Sequence, residues 1–342
     1  MSCKCVAKPN NMNDALNAIT LEEIKHARSR ISSYVRRTPL LHSQVLSEQL
    51  RVPVHLKAEN LQTTGSFKIR GAANALELLA PDRRTRGVVT SSTGNHALAL
   101  AYVARRLGIA LTVCLPPGLA IFKLSTLRDL GATLHLCSSM AETEKVCEQL
   151  REACGLAIIH PFDDPHVIAG QGTLALDVVD DCPDVRTILV PVSGGGLASG
   201  MVLALAGWAP WARMVGVYPS QAPSLAESLR LGQPVLLNDR PTLAQALAGG
   251  INPDNRYTLK VLRAHSSALV EVSEAEIATA IRFAYLEHRL VLEGGGAVAL
   301  AAVLSGRISL RFRTGPVVVV LSGGNTDLGS VDRLLAPETE AL

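Results

Sequence analysis

Short runs of branched apolar residues alternate along this chain with longer stretches of helical periodicity, and that alternation constrains its fold more than any other feature. VHLKAE at 54–59, VVTSS at 88–92, LTVCL at 111–115, TLHLC at 133–137 and AIIHP at 157–161 come first. ILVPV at 188–192, MVGVYP at 214–219, ALVEVS at 268–273 and VVVVLSG at 317–323 follow. Continuous apolar runs of this kind suit strands buried on both faces. Between them lie helix candidates such as NHALALAYVARRLG at 95–108 and EAEIATAIRFAYLEHR at 274–289. Strand, helix and strand in succession predict an α/β protein with parallel-rich sheets flanked by helices. At 342 residues there is room for one large or two modest domains, taking about 150 residues for each. No linker or internal repeat divides the sequence, so a second domain would have to be an insertion within the sheet topology.

Composition removes several classes of function. With 48% hydrophobic and 18% charged residues, disorder and collagen-like repeats are excluded. The formal net charge is +3, from 33 Lys and Arg against 30 Asp and Glu, and the basic residues are scattered, so no footprint for nucleic acid exists. The opening MSCKCVAKPNN lacks the order of a signal peptide, and no apolar run reaches the roughly 18 residues of a membrane span. A soluble cytoplasmic protein is expected. Seven dispersed cysteines, an odd number, predict free thiols. Cys3 and Cys5 lie in a polar tail with no partners for a four-ligand metal site, so residues 1–19 are expected to be a disordered extension. Cys114, Cys137, Cys147, Cys154 and Cys182 read as small hydrophobes, and none as a nucleophile.

Ligands of open α/β sheets collect beyond the carboxyl ends of strands, where the first turn of the next helix presents its N–H groups. Three loops there are rich in Gly, Ser and Asn: SSTGNH at 91–96, SGGGLASG at 193–200 and LSGGN at 321–325. The second could hold a phosphate on closely approached N–H groups, or be a tight strand-to-helix turn that binds nothing. It is not GxGxxG, because Ser199 stands at the third glycine position, and no GxxxxGK[ST] pattern occurs. Lys68, in TGSFKIRGA and flanked by Phe67 and Ile69, is a candidate Schiff-base amine if it is desolvated; otherwise it is a surface lysine lying over Phe67. SSTGNH could grip a carboxylate or serve as a helix cap. His96, a single histidine in a capping turn, reads as a hydrogen-bonded structural residue.

Taken together, TGSFKIRGA, SSTGNH, SGGGLASG and LSGGN, in this order and spacing, resemble the fold-type II pyridoxal-phosphate enzymes of the serine/threonine dehydratase and serine racemase family. RRTPLLHS at 36–43, LKAENLQTTGSFK at 56–68, FDDPHVIAGQGT at 162–173 and EGGGAVAL at 293–300 extend the likeness from about residue 20 to about 335. The resemblance implies a two-domain fold like the tryptophan synthase β subunit, with a large domain from 20–87 and 164–335 and a small one inserted at 88–163. It implies pyridoxal 5'-phosphate as cofactor and a homodimer as assembly, although no interface patch is identifiable in the sequence. Lys68 would be the Schiff-base lysine that later moves the α-proton. Phe67, Asn95, Gly194, Gly195, Gly196, Leu197, Glu293 and Ser322 would surround the cofactor. The glycines and Leu197 would cradle its phosphate, Asn95 would bond the ring hydroxyl, and Ser322 would face the pyridine nitrogen. Ser66, Ser92, Thr93, Asn95 and His96 would hold the small amino-acid substrate, with Thr93 also placed for catalysis. Glu293 would be the acidic residue near the cofactor, or merely a charge at a helix terminus. The implied reaction is β-elimination from a β-hydroxy amino acid, giving a 2-oxo acid and ammonia.

Departures from the family pattern narrow the expectation. Where serine racemases of the mammalian type hold a divalent cation partly on carboxylates, this chain has Tyr218, Ala222 and Ser224; hard cations want several oxygen ligands, so no metal is expected there. Thr93 stands where racemases use a serine as proton donor on the second face, and its methyl group restricts the rotamer, which weakens a racemase reading. LQTTGSFK, STGNH, FDDPHVIAGQGT and above all LAGGINPDNRYT at 247–258 look most like the hydroxyectoine-utilisation dehydratases. That likeness implies a substrate such as a hydroxylated 2,4-diaminobutyrate, its tail met by Asp254, Asn255 and Arg256, unless that stretch is a connecting turn. A general serine/threonine dehydratase and an amino-acid racemase are the alternatives on this scaffold. A non-catalytic ligand sensor is the alternative of another class, and it would be free to lose Lys68, Asn95 and Ser322.

Overall fold

The computed structural model describes residues 19–92, 94–118, 121–235, 237, 240–251, 253–265, 268–308, 314–327 and 329. Thr93 and the Cys3/Cys5 tail therefore lie outside the described residues. Among the described residues, ten strands form two sheets. The larger has the order β1-β2-β10-β7-β8-β9, built from Leu40–His42, Val54–Lys57, Val317–Val320, Thr187–Pro191, Arg213–Pro219 and Ala268–Val272. The smaller has the order β5-β4-β3-β6, built from Thr133–Leu136, Leu111–Leu115, Val88–Ser91 and Ala157–Ile158. Every pairing is parallel except that of β1 with β2. The chain leaves the large sheet after β2, builds the whole small sheet, and returns at β7.

All nine apolar runs form strands, and the α/β expectation is met. Two of them are not buried on both faces: β5 is largely exposed and β9 mostly half-exposed, because each is an edge strand with one neighbour. The short β1 is an additional, antiparallel edge; Leu40, Leu41 and His42 are too few to announce a strand by periodicity. Central strands β2, β10 and β7 lie between two apolar layers, one containing Ile188, Val190, Val318 and Val320, the other Leu56, Leu189, Val317 and Val319. Alternation of side chains along a strand sends successive residues to opposite layers.

Eight helices position the loops of interest: α1 (Lys68–Glu77), α2 (Asn95–Leu107), α3 (Ile121–Asp129), α4 (Pro165–Asp181), α5 (Gly196–Trp208), α6 (Thr258–Ala264), α7 (Glu274–His288) and α8 (Gly294–Leu304). α4 crosses α1 and α5 with backbone against backbone. A Cβ on Gly170 would stand 2.4 Å from the Arg70 carbonyl oxygen, and one on Gly200 would stand 2.3 Å from that of Ile168. Gly200 of the SGGGLASG stretch thus serves helix packing. Beneath the site, Arg70 is buried and bonds the Glu59 carboxylate at 2.8 and 2.9 Å, Asp177 at 2.8 Å and the Thr173 hydroxyl at 3.1 Å. Every charge in that cluster has a partner, as burial demands. Among the described residues, no helix is long and apolar enough to cross a membrane.

Candidate active site

Insertion of β10 between β2 and β7 decides where the site can be. Val317 stands opposite both Val54 and Thr187, so the loops after residues 57, 191 and 320 emerge side by side at the carboxyl edge of the sheet, where α/β proteins bind ligands. These are the loops that lead to Lys68, the glycines at 194–196 and Ser322. The fourth loop, 91–96, comes from the carboxyl end of β3 in the small sheet.

The TGSFK turn is locked to the 321–325 loop. Ser66 bridges Gly323, the Phe67 N–H donates to the Ser322 carbonyl at 3.1 Å, and the Gly324 N–H donates to the Gly65 carbonyl at 2.9 Å. Gly65 has φ +71, and a Cβ there would lie 2.2 Å from Asn325 Oδ1; only glycine meets both the left-handed backbone and the close approach. The turn delivers Lys68 as the first residue of α1, where its ammonium donates to the Pro161 carbonyl at 2.8 Å and lies 5.3 Å from the centre of the Phe67 ring. Burial lowers its pKa from the ordinary 10.5 to about 8, against the opposing pull of Glu293. At pH 7 roughly one such amine in ten is neutral, against roughly one in three thousand for an ordinary lysine. The side chain is half-buried and its ammonium is bonded to a backbone carbonyl, which favours the desolvated alternative over a freely exposed lysine.

Asn95, Glu293, Ser66 and Gly323 converge. The Asn95 amide N–H₂ donates to the Glu293 carboxylate, and its oxygen accepts from Asn325 Nδ2 at 2.8 Å. A Cβ on Gly323 would lie 2.4 Å from Glu293 Oε1 and 3.2 Å from the Ser66 Cβ. Glu293 precedes α8, yet its side chain caps nothing there. Burial pushes its carboxyl above the usual range, opposed by Lys123, the Asn95 amide and Lys68. It is a buried acid of the loop cluster and no mere helix-terminus charge. The Ser322 hydroxyl donates to the Gly295 carbonyl at 3.3 Å, a long bond for a hydroxyl and one that a better partner could displace.

Two residues of the SSTGNH loop are engaged in structural contacts. The Ser92 hydroxyl accepts from the Gly94 and Ala97 N–H groups, both at 3.3 Å, which is capping chemistry. His96 is buried; one ring nitrogen, Nε2, meets the Ile159 carbonyl at 3.2 Å, and burial together with Lys68 holds the ring neutral by lowering its pKa to about 3. The other, Nδ1, is buried without a partner, as is the Ser66 hydroxyl.

The 194–197 loop reaches this cluster through Phe162, next to the Pro161 that bonds Lys68. A Cβ on Gly194 would lie 2.4 Å from ring carbons of Phe162, and one on Gly196 2.9 Å from its Cα. Gly195, with φ +86, would meet the Thr258 Cβ at 3.0 Å. The close approach that demands these glycines is therefore made by Phe162 and Thr258. The N–H groups of Gly194, Gly195, Gly196 and Leu197 find no protein acceptor among the described residues, and they lie at the positive end of the 13-residue α5. Phe162 is held in turn by Asp163, whose carboxylate accepts from the Arg256, Tyr257 and Thr258 N–H groups at 2.6, 2.9 and 2.9 Å. The FDD segment is what joins the amine to the glycine loop, and its role was legible only as a phrase within a resemblance.

A phosphorylated aromatic aldehyde fits these donors. The amine is partly neutral, four N–H groups at a helix N-terminus have no protein acceptor among the described residues, and the buried Ser66 hydroxyl lacks a partner. Comparison with known proteins agrees. The sequence pattern described as pyridoxal-phosphate dependent enzyme matches residues 31–323. A putative threonine dehydratase of Sinorhizobium fredii is 44% identical over 319 residues, 93% of this chain and 95% of that protein. An L-threonine ammonia-lyase of Thermotoga maritima is 41% identical over 93% of this chain and 78% of its own length. Maize serine racemase superposes with a TM-score of 0.87 at 32% identity, covering 92% of this chain and 96% of that one.

Proposed function

The chain belongs to the pyridoxal-phosphate dependent enzymes, and from that premise we propose that it is an ammonia-lyase converting a β-hydroxy α-amino acid to a 2-oxo acid and ammonia. The observation that carries this reading is the desolvated amine of Lys68, pKa about 8, one residue from a peptide N–H bonded to Ser322, whose side chain is a hydroxyl and not a carboxylate.

Lys68, Phe67, Asn95, Glu293, Ser322 and the N–H groups of Gly194, Gly195, Gly196 and Leu197 would hold the cofactor. When bound, the cofactor draws electrons from the α-carbon of an attached amino acid. The Lys68 amine would hold the cofactor and, when free, would take the α-proton of the substrate. Ser322 would offer the bound group a neutral hydroxyl, which would not favour protonation of its ring as a carboxylate would and so suits prompt loss of the β-hydroxyl. Asn95 is pinned from both sides by Glu293 and Asn325, so its amide is fixed in orientation. Ser66, Ser92, Asn95 and His96 would form the substrate side, and the family resemblance adds Thr93 to them. Water is lost in the elimination and regained on hydrolysis of the enamine, so the net change is amino acid to 2-oxo acid plus ammonia.

The narrower reading is a hydroxylated 2,4-diaminobutyrate or its acetyl derivative from opened hydroxyectoine, supported by the LAGGINPDNRYT phrase. Asn255 spends its amide on the Thr258 hydroxyl and the Leu259 N–H, which leaves the exposed Asp254 and Arg256 for a substrate tail. The likeness to maize serine racemase favours amino-acid racemisation as the second reading. The division at 88 and 163 and the homodimer belong to the same proposal, with light scattering as the test of the dimer. The decisive assay measures 2-oxo acid and ammonia from serine, threonine, 3-hydroxyaspartate and hydroxylated diaminobutyrates, with D-amino acid followed in parallel. Turnover of the diaminobutyrate alone supports the narrow reading; preference for threonine or serine leaves a general dehydratase. D-amino acid without 2-oxo acid overturns the lyase.

A further inference from the structure

A cation outside the set discussed so far stands over the substrate side. Lys123 belongs to α3, which connects β4 to β5 of the small sheet. Its Nζ lies 3.3 Å from where a Cβ on Gly94 would be, with Cδ and Cε at 3.8 Å, so the side chain lies along the backbone just before α2. The same ammonium is among the groups acting on Glu293, where it precedes Lys68 in effect. It therefore spans from the 91–96 loop toward the buried acid. Among the described residues it has no hydrogen-bonded acceptor; Phe122 lies under it, 5.7 Å from ring centre to Nζ.

The side chains of Ser92, Asn95 and His96, among the described residues of that loop, are committed. The Ser92 hydroxyl serves two backbone N–H groups, Asn95 is spent on Glu293 and Asn325, and His96 is neutral and bonded to Ile159. A carboxylate brought to the start of α2 would find backbone N–H groups and one side-chain cation, Lys123, without a competing salt bridge. We propose that Lys123 anchors the α-carboxylate of the amino-acid substrate, a role that rests on the amino-acid lyase reading above. Its flexible stem comes from the small sheet while Lys68 comes from the large one, so a carboxylate held by Lys123 ties the two halves of the site together through the substrate.

The test uses the holoenzyme and the variants Lys123→Gln and Lys123→Arg. Affinity for L-alanine, which has the carboxylate but no β-leaving group, is read by titrating the cofactor's visible absorbance; L-alaninamide is the control without the charge. Loss of a charge-assisted contact predicts a roughly ten- to hundredfold weaker alanine affinity in the Gln variant. It also predicts an equal rise in KM for the β-hydroxy substrate, with kcat and cofactor content near wild type. Alaninamide binding is unchanged, and the Arg variant keeps most of the affinity. Unchanged alanine affinity in the Gln variant overturns the proposal. So does an effect confined to 3-hydroxyaspartate, which would put Lys123 against a side-chain carboxylate. Should Lys123→Gln fail to fold, wild-type enzyme that binds alanine no better than alaninamide overturns it as well. If wild type releases no 2-oxo acid from any substrate, the lyase reading fails, while the alanine titration still decides the role of Lys123.

Discussion

Asn95 and Glu293, 198 positions apart in the chain, are joined side chain to side chain. Asn95 opens α2 in the small sheet's half and Glu293 precedes α8 in the large sheet's half, so one buried bond couples the two parts across the site. The acid is held above its ordinary pKa of 4.5, chiefly by burial. A carboxyl with a raised folded-state value binds more protons folded than unfolded, so its contribution to stability falls as pH climbs from the unfolded value through the folded one. Glu293→Gln removes that loss. Thermal melts of the apoprotein are expected to give the variant a higher Tm than wild type at neutral pH, with the difference shrinking as pH falls toward 4.5, because the folded wild-type carboxyl protonates above that value. A lower Tm at neutral pH would mean that the ionised acid is stabilising.

Lys68 should control both loading and turnover. Lys68→Ala is expected to abolish the visible absorbance of bound cofactor and to lower turnover by about a thousandfold or more. In the wild-type apoprotein the nucleophile for an aldehyde is the neutral amine, so cofactor uptake followed by stopped flow should accelerate with pH and level off above about 8, the value set by burial of Lys68. Retained absorbance in the Ala variant would remove Lys68 from the site.

The glycine loop should be sensitive to Phe162. A methyl group on Gly194 would stand 2.4 Å from the ring, and overpacking of this kind costs about 1–3 kcal/mol. Gly194→Ala is expected to weaken cofactor binding about tenfold or more, measured by equilibrium dialysis. The double variant Gly194→Ala with Phe162→Ala should recover part of that loss, because the ring that collides is gone. No recovery would show that the alanine acts on the cofactor side of the loop.

Ser322→Asp places a carboxylate where the hydroxyl stands. A ring nitrogen held protonated stabilises a carbanion and slows departure of the leaving group, so elimination should fall by about tenfold, equivalent to about 1.4 kcal/mol on the barrier. Single-turnover release of 2-oxo acid is the measurement. Equal rates in both proteins would mean that the group opposite the ring does not govern the reaction.

Much of the architecture was legible because burial on both faces writes itself as continuous apolar runs: nine of ten strands were readable, as were α2 and α7, with ends within about two residues for most of them. The loops at 91–96, 193–200 and 321–325 were readable as a group because small and polar residues there contrast with the apolar runs before them. Edge strands were misread as two-face buried, since a short run such as TLHLC is the same string wherever its strand sits in the sheet. The individual parts in the site were harder. Ser92 offers the same hydroxyl to a helix N-terminus as to a carboxylate, and only the positions of the Gly94 and Ala97 N–H groups show which it meets.

What the sequence determined by itself is local and periodic: strand and helix identity, the presence of a lysine among apolar neighbours, and the order of the motifs. What tertiary structure alone decided is which distant residues meet. Insertion of β10 between β2 and β7 brings residue 322 beside residue 67, α3 carries Lys123 over Gly94, and Pro161 supplies the acceptor for Lys68. The reason is physical: desolvation and charge proximity depend on distances in space, and those are set by the pairing of strands far apart in the chain.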